Sequence, residues 1–410
     1  MSIVNKKVEQ VFQQLMAQPA VQKGLSFIEA DQSQAIADQK AMVMIEAPTF
    51  HEQKRAADYA ERLRQLGLVD VHIDRFGNVL GKRPGKGEGP TVLLEAHLDT
   101  VFAFGTDVTP VERDGKIYAP GICDDTRGLA ANLSVIRAFN ETGIETEGDI
   151  IFAGTVQEEG MGGMSGMREL LKDHGEVCAT ISIDGAGVDS IVYQGTGIRN
   201  FVVRYSGPGG HAYGAFGTPS PVHAAARAIA KLSDLRPPAD PKTTFTVSLV
   251  EGGHQIHAIA ERAEFKINMR SDRQEELDRL QEQAIAIFIA GAKEENQRWG
   301  RGEIKVEYEM ILDVPAGSQP DDAPIVQAAW KATECVGVKP RLAAGGCTNT
   351  NMPIKMGIPA VTLGRGGKEG GVHSLGEWFD PEGTYRAPQK SFLMLLALAG
   401  MHRVTASILE

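Results

Sequence analysis

A chain of 410 residues is too long for one ordinary domain and predicts two or three. Its 42% hydrophobic and 23% charged content is that of a soluble globular protein. The net charge of −11 argues against a nucleic-acid or anionic-membrane surface, and no apolar run is long enough to span a bilayer.

The start, MSIVNKKVEQVFQQL, lacks a signal-type apolar core with a small-residue cleavage site. Residues 5–46 read as helical from mixed three and four spacing of apolar positions. HEQKRAADYAERLRQLGL, 51–68, predicts an amphipathic helix ending at Gly67. VDVHID and TVLLEA predict strands, with PGKGEGP (84–90) as a turn-rich loop between two strands. TRGLAANLSVIRAF (126–139) predicts a helix, DIIFAGTV (149–156) a strand, SGMRELLKDHG a helix and ATISID (179–184) a strand. Strands alternating with helices imply an α/β sheet of mostly parallel order. From about 197 the order becomes β-α-β-β-α-β, which suits an inserted ferredoxin-like unit to about 310. The expected division is therefore 1–196, 197–310 and 311–410, with the first and last segments forming one catalytic domain. The first sheet resumes with AVTLG (360–364), followed by a terminal helix over 386–407. GRGGKEGG (364–371) lacks the ending of a phosphate loop and reads as a mobile approach to His373. The four cysteines, Cys123, Cys178, Cys335 and Cys347, form no C-x-x-C pair and fit reduced thiols in a cytoplasm.

Polar residues cluster where apolar strands end. His97 and Asp99 follow TVLLEA; two residues apart in an extended chain, they share a face. Asp124 and Asp125 follow KIYAPGI, Glu158 and Glu159 follow DIIFAGTV, and Asp184 follows ATISI. His373 precedes the last helix. In an open α/β sheet, ligands bind outside the carboxyl ends of strands. Carboxylates crowded there repel unless a cation sits among them. Imidazole with carboxylate suits zinc, with cobalt or manganese as substitutes. Read singly, each piece has a plainer account: Asp125 as a helix N-cap, EEG as a solvated loop, ID as an ordinary strand end and HS as the start of a turn. Their joint occurrence at successive strand ends is what those accounts explain poorly.

The motifs LLEAHLDTV, GICDDTRG, QEEGMGG, SIDGAG, SGPGGHAYG, NMRS and GVHSLGEW resemble, in order, those of the dinuclear-zinc metallopeptidases. That family includes peptidase T, carnosinase-type dipeptidases, aminoacylases and glutamate carboxypeptidases. The likeness runs from about residue 90 to 380. It implies a zinc-exopeptidase catalytic domain with an inserted lid, and two Zn2+ per subunit (Co2+ or Mn2+ as substitutes). It gives His97 and Asp184 to one metal, Glu159 and His373 to the other, and Asp124 to both. Asp99 would fix the tautomer of His97, and Glu158 would be the general base. A cis peptide would fall between Asp124 and Asp125. His211 would help to stabilise the oxyanion and Arg270 would bind a substrate carboxylate. A homodimer through the lid is compatible with the resemblance, with His211 acting in its own subunit or in a partner's. Three positions depart from the family's pattern: His257 stands where asparagine is frequent, Asn268 precedes Arg270, and Asn349 stands where aspartate is common. All three belong to substrate-contact or supporting regions.

The implied chemistry is amide hydrolysis of a small peptide or N-acyl amino acid. Asp184, where deacylases and carboxypeptidases more often have glutamate, favours an aminopeptidase of the tri- or dipeptidase kind. Acidic surroundings also favour a substrate ammonium. The alternatives are an N-acyl-amino-acid deacylase or carboxypeptidase, and a non-catalytic binding protein. The last predicts erosion of Glu158 or of a metal ligand, and none is eroded.

Overall fold

A computed structural model describes residues 3–343 and 345–409. It divides into two compact units, Met1–Gly195 with Ser318–Glu410, and Thr196–Gly317.

The first unit is a mixed α/β structure around an eight-stranded sheet. In spatial order the strands are Val69–Ile73, Val79–Arg83, Gly148–Thr155, Gly89–His97, Val177–Ile183, Ala360–Leu363, Ser190–Val192 and Arg341–Ala343. The four central neighbours, from Gly148–Thr155 to Ala360–Leu363, run parallel. Strand Gly89–His97 is buried from Val92 to its end, as a parallel strand covered on both faces must be, which is why its sequence does not alternate. Helix Thr126–Thr142 packs beside it. Asp125 caps the helix by accepting the Gly128 amide at 3.1 Å, and Gly143 closes it in the left-handed conformation. Phe139 of this helix meets Phe392 of the terminal helix edge-on, with ring centroids 4.9 Å apart. Residues 6–43 carry three helices, Lys6–Met16, Pro19–Ala30 and Gln32–Val43.

Three local readings change. The glycine-rich segment is not a free approach to His373. Its Lys368–Gly370 pairs antiparallel with Trp378–Asp380, in a small sheet with Lys116–Tyr118 and Val111–Arg113. A Cβ on Gly370 would stand 2.6 Å from the Trp378 ring, so the glycine permits this close pairing. The terminal helix spans Arg386–Ala399 and stops where Gly400 takes φ +79°, eight residues short of the expected end at 407. A helix over Pro324–Cys335, begun by a proline in its first turn, had not been anticipated.

The second unit is a four-stranded antiparallel sheet in the order Thr243–Gly252, Arg262–Ser271, Gly197–Ser206, Lys305–Val314. Helices Pro221–Ser233 and Gln274–Trp299 complete the β-α-β-β-α-β order. Its core is separate, built on Phe201, Val203, Phe265 and Phe288, and the buried Tyr205 hydroxyl donates to the Phe288 carbonyl at 2.8 Å. Among the described residues no helix is long and apolar enough to cross a membrane.

Candidate active site

The four parallel central strands deliver their carboxyl ends to one edge of the first unit's sheet, and each is followed by an ionisable group. His97 is the last residue of its strand, while Glu158 and Glu159, Asp184 and Arg365 follow theirs within four residues. Asp124 enters from the loop between Lys116–Tyr118 and helix Thr126–Thr142.

Asp124 stands between the two imidazoles. Its Oδ1 lies 3.0 Å from His97 Nε2, and its Oδ2 lies 3.1 Å from His373 Nε2. His373 Nε2 is also 2.8 Å from Glu159 Oε1. Ligand atoms of His97, Asp124 and Glu159 all lie within 4.8 Å of one another, as do those of Asp124, Asp125 and Asp184. Burial opposes charge on Asp124, but Arg365, followed by hydrogen bonds from His373 and His97, holds its carboxyl well below the usual range. Hydrogen bonds to Asp124 and Glu159 push the His373 imidazole up to about 10.

The surrounding backbone is fixed by carboxylates. Asp99 accepts the amides of Glu158 and Glu159 at 3.1 and 3.0 Å and the Thr49 hydroxyl at 2.9 Å. His97 Nδ1 lies 3.0 Å from the Asp99 carbonyl oxygen but 3.5 Å from the Asp99 carboxylate. The main chain of Asp99, rather than the carboxylate expected to orient His97, makes the closer contact. Glu158 is 8% exposed, and its carboxyl is pushed well above the usual range by burial first and then by Asp184, Glu159 and Asp99, against His97. The peptide between Asp124 and Asp125 is cis.

Asn349 is not open to a ligand. It is 1% exposed and donates to Glu95 at 3.0 Å and Thr155 at 2.9 Å, so it ties buried polar groups of the sheet together. His211, His257 and Arg270 belong to the second unit. His211 Nδ1 accepts the amides of Tyr213 and Gly214, each at 3.2 Å, which leaves Nε2 to carry the proton on an exposed ring. His257 is exposed, and its carbonyl accepts the Ala212 amide at 2.9 Å. Arg270 is exposed, with Nε donating to Asn268 at 3.2 Å. Asn268 itself donates to Asn200 at 2.6 Å, so it supports the arginine within one sheet.

Two residues were missed. Glu377, in GVHSLGEW, accepts the amides of Cys123 at 2.7 Å, Gly121 at 3.0 Å and Asp124 at 3.2 Å. Its signal was an acid four residues after His373, just before an apolar pair. Arg365 places Nη1 2.6 Å from Asp124 Oδ1 and 3.3 Å from Asp184 Oδ1, and Nη2 3.0 Å from Glu369. Burial works against its charge, yet Asp124, Glu369, Asp184 and Asp125 keep it protonated.

The donor set fits divalent cations. Buried carboxylates converge on one aspartate whose oxygens face different imidazoles, and Nδ1 of His97 is engaged by a carbonyl, leaving Nε2 toward Asp124.

The profile of peptidase family M20/M25/M40 matches residues 93–395. A candidate LysW-lysine/LysW-ornithine hydrolase from Pyrococcus abyssi is 34% identical over 166 residues, covering 40% of this chain and 44% of that protein. The protein given the same name in Pyrococcus horikoshii is 28% identical over 330 residues, covering 80% of this chain and 86% of its own. Among solved structures, aminopeptidase PepT from Bacillus cereus superposes with a TM-score of 0.75 at 25% identity, covering 88% of this chain and 97% of that one.

Proposed function

This chain belongs to peptidase family M20/M25/M40, and on that premise we propose that this hydrolase is a dinuclear-metal exopeptidase releasing residues from the amino end of short peptides. The observation that carries the reading is Asp124, whose two oxygens face His97 and His373 separately. His97 with Asp184 would hold one ion, and Glu159 with His373 the other. Two Zn2+ suit this set of nitrogen and oxygen donors, with Co2+ or Mn2+ as substitutes. Bound divalent ions would supply a water of lowered pKa and an electrophile for the amide oxygen.

The remaining work falls to side chains of the protein. Glu158, buried and with its backbone amide fixed by Asp99, takes the proton of the attacking water and returns it to the leaving nitrogen. Asp99 holds Glu158 and Glu159 in register through their amides. The concentration of acids, Asp99, Asp124, Asp125, Glu158, Glu159 and Asp184, favours a substrate that brings an ammonium group. The likeness to an aminopeptidase structure supports the same choice.

The test compares kcat/KM of the zinc-loaded protein for a free tripeptide, its N-acetylated form and an N-acetyl amino acid. The free tripeptide is expected to be the best substrate. Faster cleavage of either acetylated compound would replace the aminopeptidase reading with a deacylase or carboxypeptidase.

A further inference from the structure

The two sides of Asp124 differ in one respect that the metal ligands do not account for. On the Oδ2 side stand Glu159 and His373, and among the described residues no arginine or lysine pairs with Glu159. On the Oδ1 side the Arg365 guanidinium is already in place, 2.6 Å from Asp124 Oδ1, 3.3 Å from Asp184 and 3.6 Å from Asp125. Its side chain is only 2% exposed. It stands two residues after strand Ala360–Leu363, with its amide bonded to the Gly185 carbonyl at 2.9 Å and its carbonyl accepting Arg127 Nε at 3.3 Å. Nη2 is anchored on Glu369 at 3.0 Å. The main chain and Glu369 thus fix a positive charge against the aspartates that would share an ion with His97.

A fixed cation has two consequences there. It screens the repulsion between the buried Asp124 and Asp125 and the half-buried Asp184, which otherwise disfavours three carboxylates in one place. It also repels any second cation drawn to the same oxygens, and at a few ångströms in a buried site that repulsion is large.

We propose that Arg365 is a resident counter-cation that weakens metal binding on the His97–Asp184 side relative to the Glu159–His373 side, so that the two ions load in a fixed order. The proposal rests on the dinuclear reading above. It makes Arg365 a positioning residue for the aspartates and a regulator of metal occupancy.

The test is a Zn2+ titration of the metal-stripped full chain against a competing chelator, with circular dichroism as a check of folding. Wild type should take up two ions in separated steps, the weaker lost in Asp184→Ala and the stronger in His373→Ala. Arg365→Met should tighten the weaker step at least about tenfold and leave the stronger within about twofold. Since Arg365→Met strands Glu369, the double variant Arg365→Met/Glu369→Gln removes both members of the pair and should show the same tightening. A weaker step that is unchanged or looser in the folded Arg365 variants overturns the counter-cation role and leaves the dinuclear reading standing. Fewer than two ions in wild type, with no further loss in Asp184→Ala, overturns both.

Discussion

Glu377 holds Cys123 by its main chain: one carboxylate oxygen accepts the Cys123 amide at 2.7 Å. The same group takes the amides of Gly121 and Asp124, so one buried acid, brought from 253 residues away, shapes the loop that presents Asp124. Glu377→Ala would leave three amides without this acceptor. It is expected to destabilise the metal-free protein by about 2–3 kcal/mol in urea unfolding, and to weaken metal uptake as well.

Glu158→Gln is expected to lower kcat by roughly 10²–10⁴-fold while both ions stay bound, because a base is lost and no ligand. Asp124→Ala should lose activity and metal together. Metal analysis of the dialysed variants beside their kinetics separates the two; near-normal kcat in Glu158→Gln would remove it from the role of base.

Metal removal is expected to lower stability, since ions would bind the folded arrangement of residues from His97 to His373 and not the unfolded chain. At a free metal concentration about 100 times the dissociation constant, the gain is about 2.7 kcal/mol per ion. Thermal unfolding with and without chelator, followed by re-addition of Zn2+, should show a reversible upward shift of Tm. No shift would argue against a site built from these ligands.

Lys390 supplies a pH dependence away from the metal centre. Its ammonium is fully buried and donates to the carbonyls of Val188 at 2.9 Å and Ser190 at 3.2 Å, and burial lowers its pKa to about 7. Between pH 7 and the ordinary lysine value the unfolded chain keeps this proton and the folded chain gives it up. Stability from this group therefore rises with pH across that window, by an amount of the order of 4 kcal/mol, and the cost of burying the charge is complete below pH 7. The difference in unfolding free energy between wild type and Lys390→Met, measured from pH 6 to 10.5, should climb over that range. A flat difference would show that the buried ammonium keeps its ordinary pKa.

Much of the strand-end chemistry was legible because each group follows an apolar run in the chain. His97, Asp124, Glu159 and His373 are drawn together, and Asp125 also performs the capping that its place before TRG suggested. Arg365 was illegible because a lone arginine among glycines looks like loop, and its partners Asp124 and Asp184 are 241 and 181 residues away. The structural role of Asn349 is equally hidden in the sequence, since its partners Glu95 and Thr155 are 254 and 194 residues away. The parallel sheet followed from alternating strands and helices. The helix over Pro324–Cys335 did not, because its buried face is largely Ala328, Ala329 and Ala332 with Gln327 and Thr333, a faint apolar stripe.

Strand Ala360–Leu363 lies between Val177–Ile183 and Ser190–Val192, two strands made long before it. A ribosome that has synthesised every residue up to 359 has therefore produced a sheet with an open slot beside the strand that leads to Asp184. His373, Arg365 and Glu377 all arrive with or after the strand that fills the slot. The acid-and-imidazole cluster around Asp124 is therefore incomplete until that strand is in place, and a chain cut before it presents an exposed parallel edge, the kind of surface on which other chains pair.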